Sequence, residues 1–149
     1  MKESYAKILT ANDSGETGGH QGGICVPRNN RQLLDFFPRL DEGIVNPEAW
    51  IGCIDPDGKR WRMRYVCYNG KLHDTSTRNE YRITYMTRFF KKWHARKDST
   101  VVFTATENEG VYMIRIDPPV TGEKKQSNLQ LKEEPPVIVL AAKGWNRIH

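Results

Sequence analysis

Apolar residues along this chain recur mostly at every second position and in short runs, the spacing of half-buried strands rather than of helices. The clearest case is residues 59–68, where Trp61, Met63, Tyr65 and Cys67 alternate with Arg60, Arg62, Arg64, Val66 and Tyr68. One face of that strand is apolar and much of the other is cationic. It pairs in a hairpin with residues 50–55 around Pro56-Asp57-Gly58, a strong turn signal. Further strands are expected over 5–10, 24–27, 81–86 and 137–142, and a second hairpin joins 101–106 to 111–116. Helical spacing is confined to 31–37, with Leu33, Leu34, Phe36 and Phe37 before Pro38, and to 87–93, with Phe89, Phe90 and Trp93. Residues 12–23 form a polar loop with five glycines, and 118–136 read as a long polar loop. Short strands with two short helices predict a mainly β barrel or sandwich.

At 149 residues the chain is about one domain, with enough length for a real core. No apolar run approaches the ~20 residues of a membrane span, and the first residues lack the apolar stretch of a secretory signal. Cys25, Cys53 and Cys67 are odd in number and lie in strand-like runs without CxxC spacing, so they are expected to be reduced thiols and not zinc ligands. No metal site is expected, and the compartment is expected to be the cytoplasm.

Charge changes the picture more than length does. Residues 59–97 hold 12 Lys or Arg against 2 acids, Asp74 and Glu80, a local balance of +10; the rest of the chain holds 11 basic and 16 acidic residues. The formal +5 therefore hides one concentrated cationic region on an acidic body. Such a surface suits a polyanion, nucleic acid first. In its middle stands Thr77-Arg78-Asn79-Glu80-Tyr81-Arg82. A guanidinium offers two parallel donors that match guanine O6 and N7, so Arg78 and Arg82 are candidate base readers. Glu80 admits two readings: it accepts from a cytosine amino group, or it pairs with Arg78 or Arg82 to hold their rotamers. Asn79 either bonds an adenine edge or caps its own turn. His20 and Gln21, flanked by glycine pairs, are candidate base contacts in the first loop, against the reading of a plain flexible turn. Lys59, Arg60, Arg62, Lys91 and Lys92 are candidate phosphate contacts, which position without specifying. The four tryptophans are expected in core or rim packing.

Pro56-Asp57 and Glu123-Lys124-Lys125 can be arranged as a loose nuclease signature, in which two carboxylates would hold Mg²⁺. Their separation, with Asp57 in a hairpin turn and Glu123 in a polar loop, speaks against catalysis by this chain.

Thr17-Gly18-Gly19-His20-Gln21, then Pro27-Arg28, Asn46-Pro47 and Thr77-Arg78-Asn79-Glu80 continuing to Arg82-Ile83-Thr84, resemble the N-terminal effector domain of the EcoRII restriction endonuclease family. The resemblance runs from about residue 5 to residue 116. It implies a seven-stranded DNA-binding pseudobarrel, a fold shared with plant auxin-response-type factors, with two arms that grip the major groove of double-stranded DNA. The arms would be residues 12–23 and 71–82, which adds Lys71 and Tyr81 to the backbone contacts. The chain departs from a family member at Ser76 and Tyr81, where that member has lysines, and at Cys25, where it has tyrosine. Residues 1–149 are thus expected to be one non-catalytic domain without cofactor, monomeric on DNA. It would be the N-terminal part of a larger prokaryotic type II restriction endonuclease whose separate nuclease domain uses Mg²⁺, with a short G·C-rich target of the CCWGG type. The alternatives are a free-standing regulator on the same fold and a small Mg²⁺-dependent nuclease.

Overall fold

The computed structural model describes residues 2–15, 23–119 and 144–148. Its frame is one sheet of eight strands: β1 (Ser4–Ile8), β2 (Ile24–Val26), β3 (Glu48–Ile54), β4 (Arg60–Tyr68), β5 (Glu80–Thr84), β6 (Thr100–Ala105), β7 (Val111–Asp117) and β8 (Trp145–Arg147). The order across the sheet is β2-β5-β4-β3-β7-β6-β1-β8, antiparallel except for the β3–β7 pair. The alternation read in β4 is realised: Met63, Tyr65 and Cys67 are fully buried, while Arg60 and Arg62 are exposed.

The short helices α1 (Ala11–Ser14), α2 (Arg31–Phe36) and α3 (Thr87–Lys92) lie in the connections. Asn30 caps α2 through Leu33 N–H at 3.1 Å, and the Tyr112 hydroxyl donates to the Phe36 carbonyl at 2.7 Å. This holds Phe36 and Phe37 among Tyr5, Tyr65, Phe103 and Tyr112, ring centroids 4.7–5.5 Å apart. These rings form the middle of the core, in tilted and edge-on contacts that aromatic quadrupoles favour.

The sheet curls until its two edges meet. Trp145 on edge strand β8 donates its indole N–H to the Cys25 carbonyl on the opposite edge strand, β2, at 2.8 Å. The ring itself packs on Phe37 and Phe103. A side chain therefore joins edges that no backbone ladder joins, which makes the sheet a pseudobarrel.

Several expectations shift in detail. The strand expected over 137–142 lies outside the described residues, and Trp145–Arg147 forms a strand that was not expected. Residues 12–23 are expected as loop, yet α1 occupies Ala11–Ser14. Its capping box, with Thr10 Oγ1 accepting from Asp13 N–H and Asp13 Oδ2 from Thr10 N–H, supplies the missing signal. The connection after β4 contains a 3-10 turn, Gly70–His73.

Candidate nucleic-acid interface

Strand β5 buries Tyr81 and Ile83, so Glu80, Arg82 and Thr84 face outward. Register sets their neighbours: Glu80 lies opposite Tyr68, Thr84 opposite Arg64, and Arg82 between Val66 and Cys25. Arg78, just before the strand, folds back onto this face. Its Nε and Nη2 reach Glu80 Oε2 at 3.1 and 2.6 Å, while its guanidinium carbon stands 3.9 Å from the centroid of the Tyr68 ring. Arg82 Nη1 lies 3.7 Å from Glu80 Oε1. The side edge of the Arg78 guanidinium is thus occupied and its face covered, which leaves the Nη1–Nη2 end to meet a ligand. The pairing of Glu80 with both arginines matches one of the two readings of that residue.

Asn79 and Tyr81, also singled out in the sequence, are turned elsewhere. The Asn79 Oδ1 is buried without a hydrogen-bond partner among the described residues, so the acceptor does not face the open surface. Tyr81 corrects an expectation: it is 5% exposed and its hydroxyl donates to Glu42, so it is a core residue rather than a phosphate contact. Burial, then that bond, pushes its phenol up from the ordinary value. The period of two predicts this, because a strand with Glu80 and Arg82 outside must place Tyr81 inside.

The segment between β4 and β5 is tied down by groups outside the expected site residues. Asn69 is fully buried; its side chain donates to the Ile44 carbonyl at 2.9 Å and to that of Glu42 at 3.2 Å, and accepts from Asn46 N–H at 2.8 Å. The His73 ring lies 3.0 Å from the Glu42 carbonyl. Glu42 in turn accepts from Tyr81 and, at 2.8 Å, from Arg28; the Tyr81 bond first and Arg28 next hold its carboxyl below the usual range. At Gly70 a Cβ would lie 2.1 Å from Ser76 Oγ and 3.0 Å from Ser76 Cβ, so a side chain here would force Ser76 to shift. Lys71 is exposed on this loop.

His20 and Gln21 lie outside the described residues, but both roots of their loop are visible. On one side Asp13 takes the Lys7 ammonium at 2.8 Å, and its carbonyl accepts from Gly23 N–H at 3.3 Å. On the other, Gly23 packs so closely on β5 that a Cβ would lie 2.9 Å from the Ile83 carbonyl. Because β2 and β5 are antiparallel, the first loop joins this pair beside Thr84 and the second beside Glu80. The two attachment points are the length of β5 apart, about 13 Å at roughly 3.3 Å per residue. Arg82 lies between them.

The expected phosphate contacts are not gathered at this point. Arg60 stands at the far end of β4 from Tyr68, roughly 26 Å away by strand rise. Lys59 lies 4.7 Å over Trp61, and Arg62 4.4 Å over Trp50. Lys91 is exposed. Lys92 is bound to Asp55 at 2.9 Å and to Asp57 at 3.1 Å. Asp55 is 1% exposed and also accepts from the Trp61 and Trp93 indoles, both at 3.0 Å, and from the backbone N–H of Asp57 and Lys59, both at 2.9 Å. Burial alone would raise its carboxyl, but the bonds from Trp61, Lys92, Trp93 and the Lys59 N–H outweigh it and hold it well below the usual carboxylate range. Trp61, Trp93 and Trp145 pack as expected of core or rim, whereas Trp50 is 37% exposed.

Asp57, half of the loose nuclease signature, stands in the hairpin turn bound to Lys92; Glu123, Lys124 and Lys125 lie outside the described residues. Among the described residues no group of three His, Cys, Asp or Glu is placed to hold a metal ion, and no helix is long and apolar enough to cross a membrane. All three thiols are free.

The same pseudobarrel frame recurs in a solved plant structure. An Arabidopsis FUS3–DNA complex superposes with a TM-score of 0.54 at 14% identity, over 77% of this chain and 96% of that one. Within that class, the chain belongs to the family described as restriction endonuclease EcoRII, N-terminal, which it matches over residues 2–114. The type II restriction enzyme EcoRII of Escherichia coli is 36% identical over 88 residues, 54% of this chain. The chain spans only 20% of that relative's length.

Proposed function

We propose that this domain binds double-stranded DNA sequence-specifically, as the recognition and effector module of a type II restriction endonuclease, and has no cleavage activity of its own. The observation that carries this reading is Arg78, held side-on by Glu80 and face-on by Tyr68 at the root of the second loop, with Arg82 between the roots of the two loops. Their separation of about 13 Å compares with a major groove about 12 Å wide. The loops enter that groove as two arms. The free end of Arg78, and Arg82 beside it, meet guanine O6 and N7. Glu80 keeps lone pairs on both oxygens after accepting from Arg78, so it can buttress the arginine and accept from a cytosine N4 amino group at once. His20 and Gln21 supply the first arm's contacts. Lys59, Arg60, Arg62, Lys71 and Lys91 meet phosphates. The target is short and G·C-rich, of the CCWGG type, bound by one protomer. The E. coli relative is named as a type II restriction enzyme and the plant neighbour was solved with DNA, and both support the reading. A nuclease domain elsewhere in a longer chain would use Mg²⁺; this domain needs no cofactor.

Selection from a randomised duplex pool tests this. One short G·C-rich motif is expected to emerge, and the bound duplex is expected to stay intact with Mg²⁺. Equal competition by single-stranded DNA or double-stranded RNA, whose major groove is too narrow for such arms, would sink the proposal. Cleavage abolished by Asp57→Ala would sink its non-catalytic part.

A further inference from the structure

We infer that the outer face carries a second DNA-contacting element, the aromatic pair Trp50–Tyr85 with Arg62, which packs on the deoxyribose–phosphate backbone just outside the base pairs that the arms read. This rests on the function proposed above. Tyr85 is 63% exposed and holds φ at +66°, a left-handed backbone conformation that residues with a Cβ rarely adopt. Strain of this kind at an exposed aromatic points to use. The ring meets Trp50 edge-on at 5.0 Å, and the Arg62 guanidinium carbon lies 4.4 Å over the same indole.

Register places the cluster. Trp50 pairs with Arg64, and Arg64 pairs with Thr84, the residue before Tyr85. The cluster therefore shares the sheet face of Arg82 and stands at its end beside Gly23, where the first loop joins, away from Arg78. Arg60, Arg62 and Arg64 line the adjoining strand on that face, and the nearby carboxylate, Glu48, is already taken up by Arg64. Tyr, Trp and Arg also occur in protein–protein interfaces, but the row of arginines on this face of β4 favours a partner that carries phosphate. An apolar pair bordered by guanidinium groups suits a surface that alternates apolar sugar with phosphate. Base stacking fits less well, because Arg62 already covers a face of Trp50.

The test compares cognate duplexes with short and progressively longer flanks, using wild-type protein, Tyr85→Gly and Trp50→Ala. Glycine tolerates the left-handed backbone, so Tyr85→Gly removes the ring without straining the fold. Wild type is expected to bind tighter as the flanks lengthen. Both variants are expected to lose that gain, roughly five- to tenfold on the longest duplex, with the selected motif unchanged and the Tyr85→Gly denaturation midpoint no lower than wild type. Variants that bind every duplex as wild type does would overturn this inference alone. A Tyr85→Gly protein with a lowered midpoint and unchanged affinity would show the ring to be structural only, and overturns it equally. A wild-type protein that selects no duplex would overturn the inference together with the function it rests on.

Discussion

At the hairpin end of β4, Asp55 sits out of water and gathers five donors, among them Lys92 and the indoles of Trp61 and Trp93. At the other end Glu80 stands on the surface and gathers Arg78 and Arg82. Glu80 lies within the basic segment 59–97 and Asp55 just before it. Asp55 consumes its cation, because Lys92 is one of five donors that together keep a buried carboxylate ionised. Glu80 orients its cation, because a surface guanidinium held along one edge still presents another. Net charge counts these two situations alike; burial of the acid separates them.

The largest expected effect tests the structural half of that contrast. Asp55→Ala should lower unfolding free energy by about 3 kcal/mol or more, since it strands two partly buried indole donors and two backbone N–H groups and leaves Lys92 without its buried partner. Chemical denaturation measures it. The carboxyl is held below its unfolded value, so its contribution is complete above that value and disappears as pH falls below about 4. Acid should therefore erode the wild-type midpoint more steeply than that of Asp55→Asn.

Next comes the reading half. Arg78→Ala should weaken cognate binding about tenfold or more, roughly 1–3 kcal/mol, with non-cognate binding and stability little changed. Uniform loss across sequences would reduce Arg78 to a phosphate contact.

Glu80→Ala is a smaller and more pointed change. Losing an anion from a cationic arm should tighten non-cognate binding, while cognate affinity falls because Arg78 loses its buttress and cytosine its acceptor. Equal tightening on both duplexes would make the carboxylate a charge spacer.

The smallest effects separate two neighbouring lysines. Lys91→Ala should lower the log–log salt slope by about 0.9 on every duplex. Lys92→Ala should change the slope less and the denaturation midpoint more, because its ammonium is already engaged with Asp55 and Asp57. Equal slopes would erase the distinction between consumed and available charge.

Much of this was legible in the chain. The alternation of Arg60 through Cys67 and the turn at Pro56-Asp57-Gly58 placed β3 and β4, because local pattern and burial agree there. Grouping Arg78, Glu80 and Arg82 was legible from type and spacing. Tyr81 does not belong with them, because the strand's period of two turns it inward. What could not be read is long-range: Trp93 reaches Asp55 across 38 residues and Asn69 holds Asn46 across 23, and no local pattern encodes such meetings. Trp145, an isolated tryptophan near the end of the sequence, gave no strand signal at all.

That tryptophan also sets how the domain can be cut. The family match closes at residue 114, but the Cys25 carbonyl is satisfied by an indole 120 positions away. A fragment trimmed to the matched region would leave β1 as a bare edge, with its β8 partner gone and β2 unlatched. Bare edges of that kind recruit strands from other molecules, so such a fragment would be prone to self-association, and a soluble minimal domain must extend through Arg147.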